Sequence, residues 1–205
     1  RVALQVQCTR SERIAFSRDN LLMVVDTDGS NPAALSAGFD PSWSPDGGRI
    51  VFTRYDCDYY YYYYPCLNLG LFVLDRRAGV VPDVQLTTQN DRMPAWKPDG
   101  SEIAFVRDSR YIHVMKSDGL DVRLIALPPH TFIVSRPDWS PDGTRFVFAC
   151  SDDMTGYTDV CVINRNGTGF TWITNTGRSN DQPAWSPDGA RIVFVHVDFQ
   201  DDRGQ

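Results

Sequence analysis

Short apolar runs recur along the chain at nearly regular intervals, each entered from the same polar turn. Arg49-Ile-Val-Phe52, Glu102-Ile-Ala-Phe105, Arg145-Phe-Val-Phe148 and Arg191-Ile-Val-Phe194 have the length and apolar content of short β-strands. Ahead of them stand Pro41-Ser-Trp-Ser-Pro-Asp-Gly47, Pro94-Ala-Trp-Lys-Pro-Asp-Gly100, Pro137-Asp-Trp-Ser-Pro-Asp-Gly143 and Pro183-Ala-Trp-Ser-Pro-Asp-Gly189. Pro presets φ for the first turn position, Asp tolerates the second and Gly supplies a left-handed third, so each segment predicts a tight hairpin. A third apolar strand follows at Leu21 to Asp26, Leu71 to Asp75, Ile112 to Lys116 and Val160 to Asn164. Polar turns come next at Asp26-Thr-Asp-Gly29, Lys116-Ser-Asp-Gly119 and Asn164-Arg-Asn-Gly167, then fourth strands such as Val84-Gln-Leu-Thr87 and Trp172-Ile-Thr174.

The tryptophans stand at 43, 96, 139 and 185, giving periods of 53, 43 and 46 residues. Each offers a large area to bury against a neighbouring copy. A worn fifth copy precedes them: Ile14-Ala15-Phe16 matches the apolar strand, Gln7 falls where the Trp should be, and the turn-forming Pro-Asp-Gly is missing. Val2 to Val6 alternates as a half-buried strand does. Four short antiparallel strands per repeat predict an all-β fold, a β-propeller with four full blades and a partial fifth. As one domain over 1–205, the blades are expected at about 1–39, 40–90, 91–134, 135–180 and 181–205.

Trp-Ser-Pro-Asp-Gly followed by Ile-Val-Phe and a third strand ending in Asp or Asn before x-x-Gly resembles the WD40-like PD40 repeat of TolB-type propellers, over roughly residues 8 to 197. The resemblance implies six blades, whereas four and a half are present. A smaller ring, an incomplete chain and an open array closed by a partner all fit that count. It also implies work through protein contacts in an envelope complex. Related propellers gate prolyl-oligopeptidase-type peptidases or form polysaccharide lyases, so function must be argued from sites.

Composition agrees with the strand pattern. Asp outnumbers Glu 24 to 2, and there are 13 Pro and 15 Gly, which favours turns over helix interiors. A net charge of −6 argues against a nucleic-acid partner, and no apolar run approaches a membrane span. The chain starts at Arg1 without Met, as a processed product or a fragment would.

Five cysteines stand at 8, 57, 66, 150 and 161. Blade alignment places Cys150 and Cys161 across one hairpin, and Cys57 and Cys66 bracket the corresponding loop of an earlier blade. Disulfides Cys57–Cys66 and Cys150–Cys161 are expected, with four buried thiols as the alternative, and cystines imply an extracytoplasmic place, periplasmic or extracellular. Cys8 is left over as a buried thiol, a link to another chain or a lipid site.

Between Cys57 and Cys66 run Tyr59, Tyr60, Tyr61, Tyr62, Tyr63 and Tyr64. No strand hides six consecutive aromatics, so this loop is the first candidate contact surface for another protein, with a fold-over insertion or a sugar platform as alternatives. Phe132 and Ile133, in the segment Leu127 to Ser135, are the second candidate partner-binding surface. Asp40, Arg92, Arg136 and Asp181 precede the first strands and are expected at one mouth of the propeller channel.

The chain has no Gly-x-Ser-x-Gly, His-Glu-x-x-His, phosphate loop or dinucleotide fingerprint. His113, His130 and His196 stand apart, and Glu12 and Glu102 occupy equivalent hairpin exits. Asp26 to Asn31 lacks the distal Glu of a Ca²⁺ loop and reads as a turn. No catalytic residue, metal or cofactor is therefore expected. The sequence points to a non-enzymatic scaffold propeller, an accessory subunit of an envelope or membrane-associated complex.

Overall fold

The computed structural model describes residues 13–56, 67–77, 82–152 and 156–197. Every regular element among them is a β-strand, arranged in five antiparallel sheets that follow one another along the chain. The first sheet holds β1 (Arg13–Arg18), β2 (Leu21–Asp26) and β3 (Ala33–Ala37) in that order. The second holds β4 (Phe39–Trp43), β5 (Arg49–Asp56), β6 (Leu67–Asp75) and β7 (Val84–Gln85), and the third β8 (Asp91–Trp96), β9 (Glu102–Arg107), β10 (Tyr111–Lys116) and β11 (Arg123–Ile125). In the fourth, β12 (Thr131–Ile133) and β13 (Asp138–Trp139) both pair with β14 (Arg145–Asp152), which is followed by β15 (Asp159–Asn164) and β16 (Thr171–Trp172). The fifth has only β17 (Ser179–Trp185) and β18 (Ile192–Val197).

The Pro-Asp-Gly hairpins form as their chemistry requires. In the second sheet Trp43 lies opposite Ile50, the Ser44 amide donates to the Arg49 carbonyl at 2.8 Å, and the Gly47 amide to the Ser44 carbonyl at 2.8 Å. Gly47 sits at φ 69°, a left-handed value that a side chain disfavours. The same amide-to-carbonyl closure recurs from Gly100 to Lys97, Gly143 to Ser140 and Gly189 to Ser186.

A second device recurs three residues before the Trp. Asp40, Met93 and Gln182 have φ of 51°, 55° and 52°, each directly ahead of a proline. There the ladder slips: two residues of the sheet's first strand face one of its partner, Phe52, Phe105 or Phe194. Proline has no N–H to give the ladder, so a bulge accommodates it. In the fourth sheet the interruption is longer and splits β12 from β13. There the Ser135 hydroxyl accepts the Ala149 amide at 2.8 Å.

The chain divides into two compact units, Arg1–Asp108 with His113–Arg123, and Ser109–Ile112 with Leu124–Gln205. In the first, Trp43, Ile50, Phe52 and Phe72 of the second sheet pack on Ala15, Leu22 and Val24 of the first. The opposite face of the second sheet, Val51 and Leu71, packs on Trp96, Ile103, Phe105 and Met115. β5 and β6 thus bury both faces, and Phe52 and Phe105 are fully enclosed. In the second unit Trp185 and Ile192 pack on Val147, Val160 and Val162. Every Trp in these cores leans back onto the preceding sheet. Arg49 lies over Trp96 at 4.7 Å and Arg145 over Trp185 at 4.5 Å, the same residue of one repeat covering the Trp of the next.

Candidate functional site

The expected channel-mouth residues do not occupy one equivalent position. Asp40 takes the left-handed place in its bulge, whereas Arg92 and Asp181 stand one residue earlier, before Met93 and Gln182. Asp40 and Arg92 do converge, on Tyr55 at the end of β5, a residue the sequence had not singled out. The Arg92 guanidinium donates to the Tyr55 phenol. Burial, reinforced by the Asp40 charge, pushes that phenol above its ordinary value, so it stays protonated at neutral pH. Phe39 meets the Tyr55 ring edge-on at 5.2 Å. An anion, a cation and a hydroxyl on an aromatic wall suit polar recognition. No nucleophile stands beside a base in this group.

Arg136 and Asp181 belong to the second unit. Arg136 acts on Asp138, drawing its carboxyl down against the larger upward push of burial. Asp181 accepts the Gln182 amide at 2.7 Å. Asp138 also accepts the Trp185 backbone amide at 2.9 Å, as Ser42 accepts that of Trp96 at 3.1 Å. Both acceptors stand directly before a Trp, so a polar side chain just ahead of the repeated Trp was the available signal.

The segment around residue 130 corrects the expected loop surface. Thr131–Ile133 is a strand of the fourth sheet, with Ile133 opposite Cys150 and only 2% exposed. Phe132 is half-buried, with the Arg110 guanidinium 5.1 Å above its ring. The third blade therefore ends before Thr131. Tyr59 to Tyr64, Cys57, Cys66, Cys8 and Glu12 lie outside the described residues. Cys150 and Cys161 are joined in a disulfide with Cα atoms 6.0 Å apart. Phe148 faces Cys161 and Cys150 faces Asp159, so the bridge runs diagonally across the hairpin rather than straight over it.

The remaining polar candidates are structural. The Asp26 carboxylate is occupied by Arg13 at 2.8 Å and by the Asn31 amide at 2.7 Å. Arg123 bonds Glu102 at 2.9 Å, His113 stacks on Phe105, and His196 bonds Asn180 at 2.7 Å. Among the described residues no three His, Cys, Asp or Glu side chains gather as a metal site requires. Among the described residues no helix is long and apolar enough to cross a membrane.

Against known proteins, the model of the TolB beta propeller domain matches residues 5–202. The Tol-Pal system protein TolB of Francisella tularensis subsp. mediasiatica is 25% identical over 207 residues, covering 75% of this chain and 46% of that protein. The uncharacterized peptidase YuxL of Bacillus subtilis is 25% identical over 122 residues, 58% of this chain and 18% of its own length. The crystal structure of TolB from Acinetobacter baumannii superposes with a TM-score of 0.71 at 21% identity, over 94% of this chain and 49% of that one. The chain spans less than half the length of these curated relatives.

Proposed function

Because the chain belongs to the TolB β-propeller domain family, we propose that it is a non-catalytic, protein-binding propeller, an accessory subunit of an extracytoplasmic envelope complex. One observation carries this: the family match runs over almost the whole chain, and a curated relative aligned with 75% of this chain is a Tol-Pal system protein. A disulfide at Cys150–Cys161 suits an oxidising compartment, the periplasm or the cell exterior. The six tyrosines from Tyr59 to Tyr64 supply the contact surface, since Tyr gives large contact area with few rotamers to freeze. The Asp40, Tyr55 and Arg92 group adds polar recognition at a strand end. The test is purification of the natural, full protein from its envelope fraction under mild conditions. A stoichiometric partner that is lost when Tyr59 to Tyr64 become Ser is the expected result, and a lone monomer in both forms refutes the reading.

The similarity to YuxL supports a second reading, the propeller portion of a peptidase, which needs a hydrolase domain that these 205 residues do not encode. A fluorophosphonate probe applied to the full natural protein decides it: covalent labelling favours the peptidase, and none removes it.

A further inference from the structure

The turns after β2, β10 and β15 are built alike, from Asp26-Thr-Asp-Gly-Ser30, Lys116-Ser-Asp-Gly-Leu120 and Asn164-Arg-Asn-Gly-Thr168. In each the Gly amide donates to the carbonyl three residues back, at 2.9 Å from Gly29, 2.9 Å from Gly119 and 2.8 Å from Gly167. These glycines have φ of 84°, 89° and 84°. The side-chain oxygen just ahead of the Gly accepts the amide two residues on, at 2.8 Å for Asp28, 3.0 Å for Asp118 and 3.1 Å for Asn166. The first and third sheets place a carboxylate there, and the fourth places a carboxamide.

That exchange changes the chemistry of the turn. The chain holds eight asparagines, and Asn166 is the one followed by Gly. A side chain on the following residue shields its backbone nitrogen and narrows its conformations, and Gly167 does neither. Asn166 and Thr168 are exposed. Exposure belongs to the tip itself, since Asp28 and Asp118 are exposed at the same place although further sheets follow theirs in the chain. Thr168 donates its hydroxyl, at 2.7 Å, and its amide to Asn166 Oδ1, which draws electrons from Cγ and makes that carbon a better electrophile.

We infer that Asn166 is a site of spontaneous deamidation, which converts its turn to the acidic form of its counterparts. The Gly167 nitrogen attacks Asn166 Cγ. The new N–C bond closes a five-membered succinimide, the Cγ–Nδ2 bond breaks, and Nδ2 leaves as ammonia with the proton from Gly167. Water then opens the ring, giving aspartate or, through the other carbonyl, isoaspartate. The closed turn guards the nucleophile, because the Gly167 amide is bonded to the Asn164 carbonyl, so the reaction runs while the turn is open. The aspartate product closes the turn again. Asp28 shows the fit: its Oδ1 accepts both the amide and, at 2.6 Å, the hydroxyl of Ser30, the same pair that Thr168 offers. Such bonds are stronger to a carboxylate than to an amide oxygen. Isoaspartate puts an extra carbon into the backbone and does not fit that ring. Each conversion adds one negative charge at an exposed tip of the fourth sheet.

The test is ageing of the natural, full protein in warm, mildly alkaline buffer, followed by acidic pepsin digestion and tandem mass spectrometry. A synthetic peptide of residues 160–172 serves as the open reference. The expected result is a gain of one dalton at Asn166, slower than in the peptide, while Asn164 and Asn175 keep their mass. Asn166→Asp should melt at or above the parent temperature. No gain at Asn166 by the time the peptide has fully converted overturns the inference. So does an equal gain at Asn164 and Asn175, which would remove the role of Gly167. A clear loss of melting temperature in Asn166→Asp overturns the fit of the product to the turn. A sugar on Asn166, whose Asn-x-Thr pattern is also a glycan acceptor, overturns the inference too, because Nδ2 is then already consumed.

Discussion

Ser44, Ser140 and Ser186 each hold a hairpin shut from inside. The hydroxyl accepts the amide five residues on, at 2.9 Å from Arg49, Arg145 or Arg191, and donates to the turn aspartate at 2.6, 2.5 and 2.5 Å. These bonds favour the carboxylate, so Asp46, Asp142 and Asp188 are held below the ordinary 3.8, Asp142 at about 2. A depressed carboxylate stabilises the fold above its unfolded value and loses that contribution as pH falls from about 4 to about 2. Asp142→Asn should therefore lower the urea midpoint at pH 7, with the deficit vanishing towards pH 2. Asp138 is shifted the other way, chiefly by burial. Its contribution is present at low pH and fades as pH rises through its raised value. Asp138→Asn keeps an acceptor for Trp185 without the buried charge and should match or exceed the parent at pH 7. Asp138→Ala leaves that amide unpaired and should cost about 1–3 kcal/mol by denaturant titration. The Ser-Pro-Asp-Gly turns could be read as turns from sequence. The hydroxyl's double role could not, because nothing in the string says where a serine points.

At the scale of elements, hairpins and third strands follow from local chemistry and were legible, whereas the bulges were not. Pro41, Pro94 and Pro183 looked like strand starts, although the strands begin at Phe39, Asp91 and Ser179, ahead of them. A proline inside a strand demands an extra residue, and the left-handed place it creates falls on Asp40 in one sheet and on Met93, the residue after Arg92, in the next. Asp tolerates a φ of 51°, whereas a β-branched side chain does not. Asp40→Val should cost about 1–2 kcal/mol and Asp40→Gly much less, read as melting temperatures. Thr131–Ile133 was illegible for a related reason. Its partner, the far end of β14, lies beyond an interruption of four residues that the other repeats lack.

For the whole molecule, the repeat spacing already gave the number of sheets, but not that the second and third share a core through both Trp96 and Met115. Such packing joins the second sheet to the first and the third, its neighbours in sequence, as in repeat arrays. Trp96→Ala removes a nearly buried ring and the surface on which Arg49 rests, a loss of about 3–5 kcal/mol. Amide exchange should accelerate in 49–56 and 102–107 and stay near the parent rate in 145–152. Uniform acceleration would show instead that the chain unfolds as one cooperative body.

The diagonal Cys150–Cys161 bridge also fixes what a protease can separate. Any cut between Ser151 and Val160 falls inside the closed ring, so the two halves stay covalently one molecule. On a denaturing gel without thiol such a nicked sample runs as a single intact band, and with thiol it resolves into two fragments. Two fragments appearing without thiol would mean that the bridge is absent from the protein in solution.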